Sequence, residues 1–328
     1  MGKIAQALGI GVKGNASIAI HHRAYRPGDL VIGQVNLHID EPFNGSALEL
    51  SVVGKERLKW ETARPNVNST GGFNHTVTQH KHKLELFCSV LRLTGAQRYE
   101  PGKYAFPFQC RLPLDIPPTI EYKKTSFTND MQNVHARVNY KLKVSLPVHG
   151  FLRSDLGASQ PIKITTDPAS IVPRSARATR SREVEFMGLF PCGACDLAVT
   201  LQSDVVRVGG TAQLRCKVNN NCTKRVKDIT TELYQDVTVR PLAGSKKPRE
   251  HTSTVHDFVH FDGAVAANSR GDVRLSVDVR DARLFRSTTT LLPSHSGNLF
   301  SIGYRLRVKC SYSLSGSPKV EFPLTIVA

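Results

Sequence analysis

No run in this 328-residue chain approaches the ~20 consecutive apolar residues that carry a helix across a bilayer. Helical periodicity is nearly absent too, so strands are left to build the fold. The start, Met1 to Gln6, is no secretory signal, because the apolar stretch Ala5 to Val12 is too short and too glycine-rich. Gly2 invites myristoylation, but Gln6 stands where Ser or Thr is preferred, and none is expected. Seven cysteines, an odd number without a secretory signal, argue for reduced thiols in a cytosolic protein. The sequon Asn68-Ser69-Thr70 is then a chance match.

Catalytic signatures are missing as well: there is no Walker loop, no G-x-S-x-G elbow and no H-E-x-x-H pair. Gly9-Ile10-Gly11-Val12-Lys13-Gly14 has the spacing of a dinucleotide loop, yet too little chain precedes it for a strand and strand alternation follows where a helix should. No catalytic or cofactor-binding residue is therefore assigned, and no enzyme activity is expected. Cys192 and Cys195 are the weak candidates for a metal, with Cys216 and Cys222 to complete a zinc site. A zinc ribbon wants two short pairs, and Cys216 falls inside a strand pattern, so free thiols are the simpler reading. His80 and His82 share a strand face near His75, but no acidic or cysteine partner is close in sequence and a solvated face explains them.

What the chain does have is alternation. Val31, Gly33, Val35, Leu37 and Ile39 fall on one face of a strand, and Ala136, Val138, Tyr140, Leu142, Val144, Leu146 and Val148 on one face of another. Pro147 sits on the opposite face of the latter, where a strand end or edge is expected. Leu48 to Trp60 and Thr76 to Leu93 read as long strands, with Arg64 to Asn74 as a polar loop between them. Val138-Asn139-Tyr140-Lys141-Leu142-Lys143-Val144 is matched almost position for position by Ile302-Gly303-Tyr304-Arg305-Leu306-Arg307-Val308. Each follows a proline-marked loop, Pro117-Pro118 and Pro293. A repeat at about half the chain length argues two homologous domains. Short strands separated by turns then predict an all-β protein of two tandem immunoglobulin-like β-sandwich domains joined by a short hinge. The expected bounds are 1–168, a basic hinge over 169–185, and 186–328.

Charge is one-sided: 44 Lys and Arg against 27 Asp and Glu give a formal +17. Residues 1–170 hold 21 basic and 13 acidic residues, the remainder 23 and 14, so the excess is not a tail. It favours anionic partners, although strand faces such as Lys141, Lys143, Arg305 and Arg307 account for much of it. Basic groups on loops carry the better signal, because rigid scaffolds present binding residues there. The candidates are Arg64, Lys123, Lys124, Arg174, Arg177, Arg180, Arg182, Lys246, Lys247 and Arg249. Nucleic acid is not expected as a partner, since no recognised motif and no clustered basic stripe is visible.

Three ordered blocks resemble the arrestin family. They are Tyr25-Arg26-Pro27-Gly28-Asp29 with Val31, Gly33 and Val35; Leu48 to Glu56 with Gly54 and then Trp60; and Gly102-Lys103-Tyr104-Ala105-Phe106-Pro107-Phe108 with Leu112-Pro113. In the second half, Leu291-Leu292-Pro293 ahead of the repeated strand and Phe322-Pro323-Leu324 are similar to the same family. Thr94 to Pro101 is too short for the amphipathic helix of visual and β-arrestins, so the resemblance is to the α-arrestin, or arrestin domain-containing, branch. It implies the arrestin fold and a non-enzymatic adaptor or scaffold that binds membrane-protein cargo tails or anionic membrane in trafficking, endocytosis or signalling. It also implies a cytoplasmic protein peripherally associated with plasma or endosomal membranes, with phosphoinositide lipids or phosphopeptides among its ligands. The alternative is a structural trafficking-coat subunit similar to the arrestin-fold component of retromer. By the same resemblance Arg64 to Asn74, Thr125 to Val134 and Leu242 to Glu250 correspond to the crest loops that meet cargo. Better-known α-arrestins recruit HECT-type ubiquitin ligases through Pro-Pro-x-Tyr tails. Up to Ala328 no such motif occurs, and Pro117-Pro118 precedes Tyr122 by too many residues, so recruitment by that route is not expected.

Overall fold

The computed structural model describes residues 14–67, 73–148, 155–166, 171–240, 247–260, 263–279, 282–284, 287–289, 291–313 and 316–327. Gly2, residues 9–13 of the glycine motif, the centre of the 64–74 loop and Lys246 lie outside them. No α-helix occurs among the described residues. The chain divides into two compact units, 1–167 and 168–328.

Unit 1 runs β1 (Gly14–Ile20), β2 (Ala24–Tyr25), β3 (Leu30–Ile39), β4 (Phe43–Gly45), β5 (Leu48–Val67) and β6 (Phe73–Thr94). It continues with β7 (Gln97–Tyr99), β8 (Gly102–Arg111), β9 (Ile120–Thr128), β10 (Met131–Leu146) and β11 (Leu156–Ile164). One sheet is β1-β3-β8; the other is β2-β11-β10-β5-β6 with β9 also on β10. β3 alternates as its sequence demands, burying Val31, Val35, Leu37 and Ile39. β10 does the same with Ala136, Val138, Tyr140, Leu142, Val144 and Leu146, and it ends at the residue before Pro147. Each such aliphatic side chain removed from water is worth roughly 1.5–3 kcal/mol, and the two rows supply much of the core between the sheets.

Unit 2 runs β12 (Ala176–Phe186), β13 (Phe190–Leu201), β14 (Val205–Arg207), β15 (Thr211–Cys222), β16 (Asp228–Val239) and β17 (Arg249–His260). Then come β18 (Ser269–Asp278), β19 (Ala282–Leu284), β20 (Ser287–Thr289), β21 (His295–Ser296), β22 (Phe300–Ser311) and β23 (Lys319–Val327). Its sheets are β12-β13-β15-β18 and β14-β23-β22-β16-β17, with β21 on β22. In both units a central strand of the larger sheet is the repeated segment, β10 and β22.

The repeat has a structural purpose that its tyrosines disclose. Tyr140 donates its hydroxyl to the Pro117 carbonyl at 2.6 Å, fixing the proline-marked loop onto the sheet. Tyr304 donates to the Leu292 carbonyl at 2.6 Å and accepts from the Leu292 N–H at 3.1 Å. Tyr304 also accepts from Gln235 Nε2 at 2.7 Å, and Gln235 is buried. Removing the Tyr304 hydroxyl therefore strands a buried amide, whereas removing that of Tyr140 strands a carbonyl. We expect Tyr304→Phe to cost about 2–3 kcal/mol and Tyr140→Phe about 1 kcal/mol in chemical denaturation.

Three expectations need correction. The polar stretch 64–74 is not simply a loop: β5 and β6 stay paired from Leu48↔Thr94 out to Val67↔Phe73. Thr125 to Val134 is mostly strand, β9 and β10 joined at Asn129 and Asp130. The stretch read as a hinge over 169–185 becomes strand β12 at Ala176, paired with β13 along most of its length. Arg180 and Arg182 stand opposite Leu197 and Cys195, whose side chains are buried, yet both arginines are exposed. Charges on the core side of an edge strand keep other strands from pairing there, and that explains an arginine-rich segment better than a linker does.

Candidate functional site

Strand register gathers basic residues that are scattered in sequence. On the solvent face of the larger sheet of unit 1, Lys123, His135, Lys59 and Lys81 form one row across β9, β10, β5 and β6. The next row is Glu121, Arg137, Arg57 and Lys83, followed by Asn139, Lys55 and Glu85. Lys141 stands beside Val53 and Cys88, and Lys143 beside Ser51 and Val90. Residues opposite one another share a face, so nine lysines and arginines meet two carboxylates in these rows. A register shift between Gly54 and Lys55 keeps both ends of the hairpin in phase with β10.

The two carboxylates are already engaged. Glu121 accepts from Lys123 at 3.0 Å and lies 2.7 Å from His135, contacts that hold its carboxyl below the usual range. Glu85 reaches Lys55 at 3.5 Å. At the centre positive charge is crowded: the Lys55 ammonium, in hydrogen-bonding range, lowers the pKa of Lys83, and Arg57 adds to the effect. Arg57 Nε is buried without a protein partner, as is Asn139 Oδ1 in the neighbouring row. A donor in that state costs free energy until an acceptor arrives. Basic heads recur at roughly 5 Å between strands and roughly 7 Å along them, the same interval as alternate side chains of an extended peptide.

Unit 2 carries the same strand pattern to a different end. Arg305 donates to Asp236 Oδ2 and Oδ1 at 2.5 and 3.0 Å and to Glu321 at 2.8 Å. Arg307 donates to Glu321 at 2.8 Å, Glu232 at 3.1 Å and the Tyr234 hydroxyl at 2.7 Å. Both guanidinium groups lie over the Tyr234 ring, 5.5 and 4.6 Å from its centroid. A fully paired network of this kind rigidifies a sheet and leaves little charge for a ligand. Lys141 and Lys143, at the equivalent positions of β10, have no carboxylate within 4 Å among the described residues.

Of the loop candidates only Lys123 belongs to this face. Lys124 alternates to the other side, opposite Val134. Arg64 lies on β5 opposite Thr76, and Arg249 begins β17 opposite Val239. Arg174 precedes β12 and its N–H donates to Asp204 Oδ1 at 2.8 Å; Arg177, Arg180 and Arg182 are on β12 itself. Lys247 is exposed just before β17. Arg174 and Lys247 do sit off the strands, but Arg64, Lys123, Lys124, Arg177, Arg180, Arg182 and Arg249 sit on them, and the strand rows form a basic cluster that the sequence did not show. The signal that could have found the face is the period-two spacing of Lys55, Arg57 and Lys59, of Lys81 and Lys83, and of Lys141 and Lys143.

The remaining polar clusters behave otherwise. Among the described residues no three His, Cys, Asp or Glu converge as a metal requires, and Cys195 points into the core of unit 2. His80 and His82 are not merely a solvated face, since both stack on the chain's one tryptophan, Trp60, at 4.8 and 5.0 Å. His80 also lies 3.0 Å from the Thr62 hydroxyl. Burial, and then the charge of His80, hold the His82 pKa below its ordinary 6.5. The folded chain then binds fewer protons than the unfolded one below that value, so stability falls as pH drops through it. His82→Phe, which keeps a ring against Trp60, is expected to flatten the stability difference between about pH 7 and about pH 5; thermal unfolding of both proteins at the two pH values measures it.

Two sandwiches, paired sheets and proline loops tied by equivalent tyrosines define a class, and sequence comparison agrees. The profile described as arrestin (or S-antigen), N-terminal domain, matches residues 15–157, and that of the C-terminal domain matches 193–328. The chain belongs to the arrestin family, within its α-arrestin, or arrestin domain-containing, branch. It is 23% identical over 324 residues to arrestin domain-containing protein A of Dictyostelium discoideum, covering 95% of this chain and 50% of that one. To arrestin domain-containing protein 4 of Mus musculus it is 24% identical over 234 residues, 70% of this chain and 54% of the relative. The chain thus spans about half the length of these curated relatives.

Proposed function

We propose that this chain is a non-enzymatic arrestin-type adaptor in membrane-protein trafficking, endocytosis or signalling. Its ligand on unit 1 is the acidic or phosphorylated cytoplasmic tail of a membrane protein, laid across β10, β5 and β6. The observation that carries the reading is the uncompensated basic face around Arg57, Lys83 and Arg137, set against the neutralised equivalent strand of unit 2. Phosphate and carboxylate oxygens would accept from the exposed basic heads of this face and relieve the repulsion among Lys55, Arg57 and Lys83.

A second feature supports work at a membrane surface. The β12–β13 hairpin turns at Met187 and Gly188, both with positive φ, and leaves Met187, Leu189 and Phe190 62%, 75% and 61% exposed. Lys224 stands 4.7 Å over Phe186 at the base of this tip, with Arg225 beside it in sequence. Exposed apolar groups flanked by cations suit an anionic lipid interface. That fits a cytoplasmic protein held peripherally at plasma or endosomal membranes.

The test is fluorescence anisotropy with an acidic tail peptide, with its phosphorylated form and with a single-stranded oligonucleotide of equal charge. The phosphorylated peptide is expected to bind best and to weaken as salt rises. Preference for the oligonucleotide, with the steep salt slope of phosphate-backbone binding, would replace the reading, and failure of both peptides to bind would remove it.

A further inference from the structure

Burial on the core side of unit 1 falls off along one flank of the sandwich. There β6 and β8 are the outer strands of their sheets, β6 paired with β5 and β8 with β3 among the described residues, and the two come close to each other. Register sets Leu84, Phe87, Ser89 and Leu91 of β6 beside Glu56, Gly54, Val52 and Leu50, on the face that β10 fills with Tyr140, Leu142 and Val144. The β5 and β10 residues are buried, yet Leu84, Phe87 and Leu91 are only half-buried and Ser89 is exposed. On β8, Tyr104, Phe106 and Cys110 stand beside the buried Leu37, Val35 and Val31 and are half-buried too. Tyr104 turns its hydroxyl to the Glu100 backbone, donating to the carbonyl at 2.8 Å and accepting from the N–H at 3.0 Å. Its ring packs edge-on against Tyr99 at 5.5 Å, so what it offers the seam is apolar.

We infer that the seam between β6 and β8 is a docking groove for an amphipathic helix of a partner protein, with an apolar stripe and acidic residues on both flanks. Stacked sheets stand about 10 Å apart and an α-helix with its side chains is about 10–12 Å across, so one helix touches both strands. The half-buried stretch covers roughly 20 Å of each strand, the length of about 14 helical residues. An added strand would serve less well. The Leu112 N–H donates to the Asp29 carbonyl at 2.9 Å, and that phase turns the odd-numbered residues of β8 outward, where Pro107 has no N–H to give. A strand on β6 would leave Tyr104 and Phe106 uncovered. The rims choose the charge: Lys83 and Arg92 flank the seam on β6, Lys103 and Arg111 on β8. Glu85, the one acid in either strand, is tied to Lys55 at 3.5 Å. No α-helix occurs among the described residues, and a second copy would bring the same cations, so the helix belongs to another protein. Anchors at i, i+3, i+4 and i+7 in an apolar groove are a recurrent mode of recognition. The floor of this groove is the core side of the large sheet, whereas the basic rows lie on its solvent face, so the inference goes beyond the tail-binding reading and can fail without it.

The probe is a synthetic peptide of about 16 residues with leucines at i, i+3, i+4 and i+7 and glutamates on both flanks, set against the same residues scrambled. The striped peptide is expected to bind the full chain in preference to the scrambled one, with a gain in the helical circular-dichroism signal. Alkylation of Cys110, in the seam, should slow on binding, while that of Cys88, exposed on the solvent face, should not. Ser89→Glu sets a charge on the exposed part of the floor and should weaken binding at least ~10-fold, with the unfolding temperature unchanged. No preference for the striped peptide, or binding without a gain of helix, as a strand added to β6 would give, overturns the inference. Affinity that survives Ser89→Glu but falls in Lys141→Glu with Lys143→Glu would also overturn it, by placing the peptide on the basic rows. Peptide preference, helical signal and Cys110 alkylation are read on the unaltered protein and stand even if the Ser89 variant fails to fold.

Discussion

Replacing Arg57, Lys83 and Arg137 together by glutamate is expected to lower affinity for a phosphorylated tail peptide at least ~100-fold, about 2.8 kcal/mol of binding free energy. The three side chains form a single row across β5, β6 and β10. Reversal both removes donors and sets carboxylates against the ligand, and like charge at an interface costs several kcal/mol. Stability should fall far less than affinity, because the replacement at position 83 would be attracted by Lys55, the main group that now repels Lys83, which offsets part of the repulsion among the new carboxylates of the row. Anisotropy titration and thermal unfolding of the same samples separate the two effects. A matching loss of stability would mean that the row holds the sheet together and does not serve a ligand.

Gly54→Val is expected to destabilise unit 1 by about 3 kcal/mol or more, the upper end of what overpacking does to a filled core. A Cβ at Gly54 would lie 2.6 and 2.8 Å from carbons of the Tyr140 ring and 2.9 Å from Phe87. The Tyr140 ring has no room to retreat, while Phe87 is only half-buried. Tyr140 is fully buried and anchored through its hydroxyl to Pro117, and Phe87 packs at 6.0 Å from it. The glycine thus gives way to a tyrosine that pins a loop, and the register shift beside it sets the phase of the basic rows. Chemical denaturation measures the loss; a change under about 1 kcal/mol would show that the rings shift freely.

Much of the fold was legible because it is local. β3 and β10 alternate so cleanly that their buried faces could be written from residue type, and Pro147 marked the end of β10. The far end of the β5–β6 hairpin was not legible, since Asn66, Asn74 and Pro65 have turn chemistry while their backbones remain paired. Arg180 and Arg182 looked like a linker because their function, guarding an edge, exists only once β13 is in place. The candidate site was hidden for the same reason. Lys55, Arg57 and Lys59 read as one solvated strand face, as do Lys81 and Lys83. Only the pairing of β10, β5 and β6 makes them one surface. Lys141 and Lys143 could not be told from Arg305 and Arg307 by sequence, because the acids that neutralise the latter, Glu232, Asp236 and Glu321, come from two other strands.

That last contrast is the centre of the account, and a paired charge reversal addresses it. Lys141→Glu with Lys143→Glu should weaken binding of the phosphorylated peptide at least ~10-fold, about 1.4 kcal/mol, and leave unfolding unchanged. Arg305→Glu with Arg307→Glu should lower the unfolding temperature of unit 2 by breaking its network, and leave peptide affinity as it was. Equal losses of affinity from both pairs, or a loss from the unit 2 pair alone, would contradict the assignment of the anion-binding face to unit 1.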